Sequence, residues 1–178
     1  MRDFHQPGRS ATYAPNGICA TSHPLAAKVG VDVLQQGGNA ADAAIAAAMV
    51  LNICEPQMTG LGGDCFVLLK PAGEERIVAL NGSGRAPARL SAERLRADGH
   101  TAMPIRDIAA VTLPGAVDAL CTLAQDWGKW ELARTLAPAI TYAETGVPVS
   151  ERTAFDWAIA AREGYLGPKA QETYLKDG

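Results

Sequence analysis

The 178 residues are 48% hydrophobic and 20% charged, a balance that excludes a disordered polymer and fits a chain with a core. The formal net charge is −3 and the basic residues are scattered, which excludes an electrostatic case for nucleic acid. Four cysteines (Cys19, Cys54, Cys65, Cys121) form no C-x-x-C pair and have no histidine at ligand spacing, so they read as buried free thiols rather than zinc ligands or disulfides.

Met1 to Asn16 is polar and does not read as a secretory signal, so a cytoplasmic location is expected. The run Gly17–Thr21 predicts a short strand. Leu25–Gln36, with apolar residues at Leu25, Val29 and Val33, predicts a helix that stops at Gly37–Gly38. Asn39 is a good N-cap for a second helix, and Asp42 falls in its first turn, where the helix dipole favours a carboxylate. That helix, Ala40 to about Leu51, is alanine-rich and apolar nearly all round, so burial on most sides is expected. It is too short, and too interrupted by Asp42, to span a membrane.

Glu55–Asp64 is rich in breakers and predicts a loop. Cys65–Leu69 and Arg76–Leu80 then predict a hairpin, and Asn81–Pro87 leaves its second strand. Beyond this the pattern is helical. Ser91 caps a short helix to Ala97, Pro114 begins another that Gly128 ends, and further helices run from about Glu131 to Glu144 and from Ser150 to Glu163. Arg85, Arg89, Arg94 and Arg96 are interrupted by acids and read as a solvated face. No repeat or linker divides the chain. The class expected is α+β, with too little sheet for a complete domain.

Familiar catalytic patterns fail in turn. Gly60-Leu-Gly-Gly63 lacks the third glycine of a dinucleotide fingerprint, a strand follows it instead of a helix, and no Walker lysine is present. Its glycines are expected to let the backbone approach another backbone or a substrate, with N–H groups as donors. Cys65 with His23 is conceivable as a nucleophile and base, but a cysteine opening an apolar strand is more often packed core. There is no G-x-S-x-G elbow.

Four segments carry a resemblance. Val31–Ala46 (VDVLQQGGNAADAAIA), Thr59–Leu68 (TGLGGDCFVL), Asn81–Pro87 (NGSGRAP) and Leu113–Val117 (LPGAV) resemble, in order and rough spacing, the large-subunit signature of the γ-glutamyltransferase family. The resemblance implies an N-terminal-nucleophile hydrolase, a four-layer αββα sandwich of which residues 1–178 would be the incomplete N-terminal part of the large subunit. It implies a proenzyme that cleaves itself, so that the new N-terminal threonine of the small subunit attacks γ-glutamyl amides such as glutathione. Related branches act on oxamate-type or glutaryl-type acyl groups. A hydroxyl needs a base, and an N-terminal amine is neutral enough near pH 7 to serve.

On this reading no catalytic residue lies in the chain, no cofactor or metal is needed, and the partners are a small amide substrate and the missing small subunit. One substrate contact is implied within it. The family's carboxylate-binding arginine stands four residues before the proline of an Ala-Pro pair; here that position holds Ser83, and Arg85 follows two residues later. If the segment is extended, both face one side and Arg85 can take over the role. The alternative is a surface or ion-pair arginine. A non-catalytic remnant or binding module is the alternative of another class.

Overall fold

The computed structural model describes residues 11–175. His5, most of the polar start and the last three residues lie outside that span. Helix α1 (Pro24–Gln35) opens with proline in its first turn and with His23 as N-cap, whose Nδ1 accepts the Leu25 N–H at 3.2 Å. Helix α2 (Ala40–Cys54) follows after a tight turn and runs three residues beyond the expected end. Asn39 and Asp42 form a reciprocal capping box at its start: the Asn39 side chain accepts the Asp42 N–H at 3.0 Å, and Asp42 accepts the Asn39 N–H at 2.8 Å.

The apolar pattern of α2 is used on several sides. Ala43, Ala46, Ala47 and Val50 pack against Val29 and Val33 of α1 and Ala139 of α5 (Leu132–Thr145). Ala41 and Ile45 pack against Leu123 of α4 (Ala116–Trp127). Alanine keeps these interhelical distances short, and each buried aliphatic side chain adds about 1.5–3 kcal/mol of apolar transfer.

Strands β1 (Cys65–Leu69) and β2 (Val78–Gly82) pair antiparallel, from Cys65 opposite Gly82 to Leu69 opposite Val78. The second strand therefore lies two residues later than its composition suggests. Ladder bonds to β1 draw Asn81 and Gly82 in despite their poor strand propensity, and residues 70–77 are left to the loop. One face of the hairpin packs Val67 and Leu80 toward Leu123 and Ile45. The other is open, with Phe66 69% and Leu68 79% exposed. The layout is α+β: helices cover one side of a two-stranded sheet.

The predicted strand at Gly17–Thr21 does not form. No neighbouring strand offers it main-chain partners among the described residues. It lies instead along the α1–α2 pair, with Cys19 packed on their core and Ser22 donating to the buried Glu55 carboxylate at 2.5 Å. The remaining elements are α3 (Ala92–Ala97) capped by Ser91, α6 (Glu151–Arg162) capped by Ser150, and an unpredicted α7 (Pro168–Tyr174) whose Tyr174 stacks on Trp157 with ring centres 4.6 Å apart. Thr153 of α6 donates its hydroxyl to the Cys54 carbonyl at 3.2 Å and so ties α6 to the end of α2. No described helix is long and apolar enough to cross a membrane.

Asp42 is 1% exposed and also accepts the N–H groups of Lys129 and Trp130 at 3.1 to 3.2 Å, which fastens the α4–α5 turn to the start of α2. Asp42→Ala strands three backbone donors and is expected to lower unfolding stability by about 2–4 kcal/mol in urea titration. Asp42→Asn, which keeps one acceptor oxygen, should fall between. Equal midpoints for Asp42→Ala and the unmutated protein would refute this.

Candidate functional site

Three of the unusual segments meet at one place. The glycine turn ends on Gly63, whose carbonyl accepts the N–H groups of Gly115 and Ala116 at 3.2 and 2.9 Å. These are orphan donors at the start of α4, where Gly115 caps without a side chain. The turn thus offers an acceptor to a helix N-terminus, and the Gly63 N–H is spent on the Gly60 carbonyl at 3.1 Å.

Asn81–Pro87 lies against the same helix start. The Leu113 N–H donates to the Arg85 carbonyl at 3.0 Å. A Cβ on Gly84 would stand 1.5 Å from the Leu113 carbonyl oxygen, and one on Gly115 would stand 2.2 Å from that of Gly82. Three chain segments are therefore in backbone contact, a closeness that side chains at these positions forbid. The close approach expected of Gly60–Gly63 falls instead on Gly84 and Gly115: a Cβ on Gly60 or Gly62 would meet nothing within 4 Å, and the turn's contribution is the Gly63 carbonyl.

Ser83 and Arg85 emerge from this junction. Burial alternates from Asn81 to Arg85, so Asn81, Ser83 and Arg85 share the exposed side. The Ser83 N–H donates to Asn81 Oδ1 at 2.9 Å, which fixes the turn out of β2. Arg85 is exposed and takes part in none of the described ion pairs. The chain presents a guanidinium at the junction's edge, a group suited to binding a carboxylate in a fork.

Asp64 was not legible as a site residue. Its Oδ1 accepts the Gly84 N–H at 3.1 Å and the Thr112 hydroxyl at 3.4 Å, linking the glycine turn to the Asn81–Pro87 segment and to the residue just before Leu113. Its sequence signals were an acid at the exit of a glycine turn and a place within the Thr59–Leu68 motif. Beside it, a cleft of about 410 Å³ opens between Leu51 and Asn52 of α2, the loop around Gln57 and Met58, and Ala116 of α4.

Cys65 and His23 are not brought together. His23 is buried with Nδ1 committed to the Leu25 N–H, and its Nε2 has no partner. Burial raises the thiol pKa of Cys65, as it does for Cys19 and Cys54, and the Glu55 charge adds to it at Cys54. These thiols stay protonated at neutral pH and are poor nucleophiles. No metal-binding cluster of His, Cys, Asp and Glu occurs among the described residues. A thiol-labelling time course at pH 7.5 is expected to modify exposed Cys121 first, with Cys65 following only as the pH is raised. Fast labelling of Cys65 at neutral pH would revive a nucleophilic role for it.

Residues 26–178 match the profile of the family described as gamma-glutamyltranspeptidase. The chain is 40% identical over 134 residues to the glutathione hydrolase-like YwrD proenzyme of Bacillus subtilis, covering 75% of this chain and 25% of that one. It is 34% identical over 175 residues to the oxamate amidohydrolase proenzyme of Klebsiella pneumoniae, covering 95% and 33% respectively. Its fold superposes on the crystal structure of Helicobacter pylori gamma-glutamyltranspeptidase with a TM-score of 0.84 at 28% identity, covering 95% of this chain and 49% of that one. The chain thus spans a quarter to a third of the length of these two curated relatives.

Proposed function

The chain belongs to the γ-glutamyltranspeptidase family of N-terminal-nucleophile hydrolases, and from that premise we propose that it is the N-terminal part of the large subunit of an amidase acting on γ-glutamyl amides such as glutathione. The observation that carries this reading is the convergence of the Thr59–Leu68, Asn81–Pro87 and Leu113–Val117 segments on one backbone junction, with Arg85 unpaired at its edge.

In the proposed reaction a small-subunit threonine hydroxyl attacks the amide carbon while its own α-amine takes the proton. The tetrahedral oxyanion collapses, the amine leaves with that proton, and water or an acceptor amine releases the acyl group. The part given to this chain is to hold the acyl group's carboxylate on Arg85. A small-subunit partner is supported by the surface left open. Phe66 and Leu68 form an apolar sheet face, and the second edge of β1 has no strand beside it among the described residues. The location we propose is the cytoplasm.

A second reading, amide hydrolysis of an oxamate-type or glutaryl-type acyl group, is favoured by one observation. Ser83 occupies the position at which the family resemblance expects arginine, so the α-carboxylate of a γ-glutamyl group lacks there the charged partner the resemblance implies. The kcat/KM of the assembled two-subunit enzyme on glutathione and on oxamate separates the two readings.

The chain alone is expected to show no turnover of a γ-glutamyl anilide; turnover abolished by substituting a residue within it would overturn the assignment of chemistry to another subunit. In the assembled enzyme, Arg85→Ala is expected to raise KM about ten-fold or more, with a smaller effect on kcat. An unchanged KM removes Arg85 from the carboxylate site.

A further inference from the structure

Beyond the last rung of the hairpin the chain is held by side chains instead of ladder bonds. The rung Cys65–Gly82 sets the register, and one further step would pair Asp64 with Ser83. In place of that rung the Asp64 carboxylate accepts the Gly84 N–H, between Ser83 and Arg85. Oδ1 takes both described donors, and Asp64 joins none of the described ion pairs. A carboxylate without a cation thus stands beside two residues whose side chains share the exposed side.

We propose that Asp64 is a specificity-determining residue, which positions the Ser83–Arg85 segment through Gly84 and biases it by charge against acyl groups that carry an α-carboxylate. This rests on the reading of Ser83 and Arg85 as the acyl-group contact. The fixed charge repels a substrate carboxylate, and it competes for Arg85 if that side chain swings inward; a substrate ammonium, which γ-glutamyl and 4-aminobutyryl groups share, does not discriminate between them. Both discriminating effects have the same sign. Asp64 therefore weakens the hold of Arg85 on an α-carboxylate without abolishing it, so an acyl group that lacks the carboxylate is disfavoured less than it would be beside an uncharged residue.

The test compares γ-glutamyl-4-nitroanilide with 4-aminobutyryl-4-nitroanilide, the same acyl chain lacking the carboxylate, in the assembled enzyme. D64N keeps an acceptor for Gly84 and removes the charge; it is expected to shift the kcat/KM ratio about three- to ten-fold toward the γ-glutamyl anilide, mainly through KM. The shift caused by D64N should shrink as salt rises from about 0.02 to about 0.5 M. D64A, which also loses the Gly84 bond, should lower kcat/KM on both anilides below the D64N level. Turnover with a ratio that D64N leaves unmoved overturns this proposal alone. Absence of turnover of either anilide by the unmutated enzyme sinks the amidase reading and this proposal with it.

Discussion

The fold depends on one buried carboxylate. Asp42 sits at the start of the central helix, almost without solvent, where an unpaired charge would cost several kcal/mol. It is tolerated because three backbone N–H groups converge on it, from Asn39 and from the distant Lys129 and Trp130. Asn39 completes the tie by donating its side-chain amide to the Trp127 carbonyl at 2.7 Å. One capping box therefore does two jobs: it starts α2 and seats the α4–α5 turn upon it.

From that anchor the packing follows. With α4 and α5 held by their turn, Leu123 meets Ile45 and Ala139 meets the Ala43–Val50 side of the same helix. The hairpin then docks Val67 and Leu80 on α4, and Gly82 faces Ala119 so closely that a Cβ on Gly82 would stand 2.3 Å from the Ala119 methyl. A bulkier residue at either position would push α4 off the strand. The start of α4 is in turn the platform on which the glycine turn and the Asn81–Arg85 segment converge.

The candidate site lies at that platform. Backbone contacts there are made by glycines and carry no specificity of their own. What they do is fix where the backbone of Ser83, Arg85 and Asp64 stands, and those three side chains are the ones proposed to meet the acyl group. The relatives differ in the amides their names record, while the scaffold is shared. Variation in a few such side chains is a physically sufficient route from one acyl group to another.

Local signals were legible wherever the cause is local. Asn39, Asp42, Ser91, Ser150 and Gly128 mark helix ends in the sequence because capping acts within three or four residues, and the alanine run announced a buried helix. The ordered motifs identified the family, and they are the basis on which Ser83 and Arg85 are proposed as the acyl-group contact. What the sequence did not contain was any term for partners far along the chain. Gly17–Thr21 has strand composition but no neighbouring strand to bond, while Asn81 and Gly82 lack that composition and are strand because β1 bonds them. The second half of Asp42's role and the whole of Asp64's are long-range hydrogen bonds, set only when separate segments fold into contact. Composition and capping determined most of the helices; the tertiary structure decided which runs became strand and which polar groups meet, because ladder partners and the donors of a buried or bridging carboxylate are found across space and not along the chain.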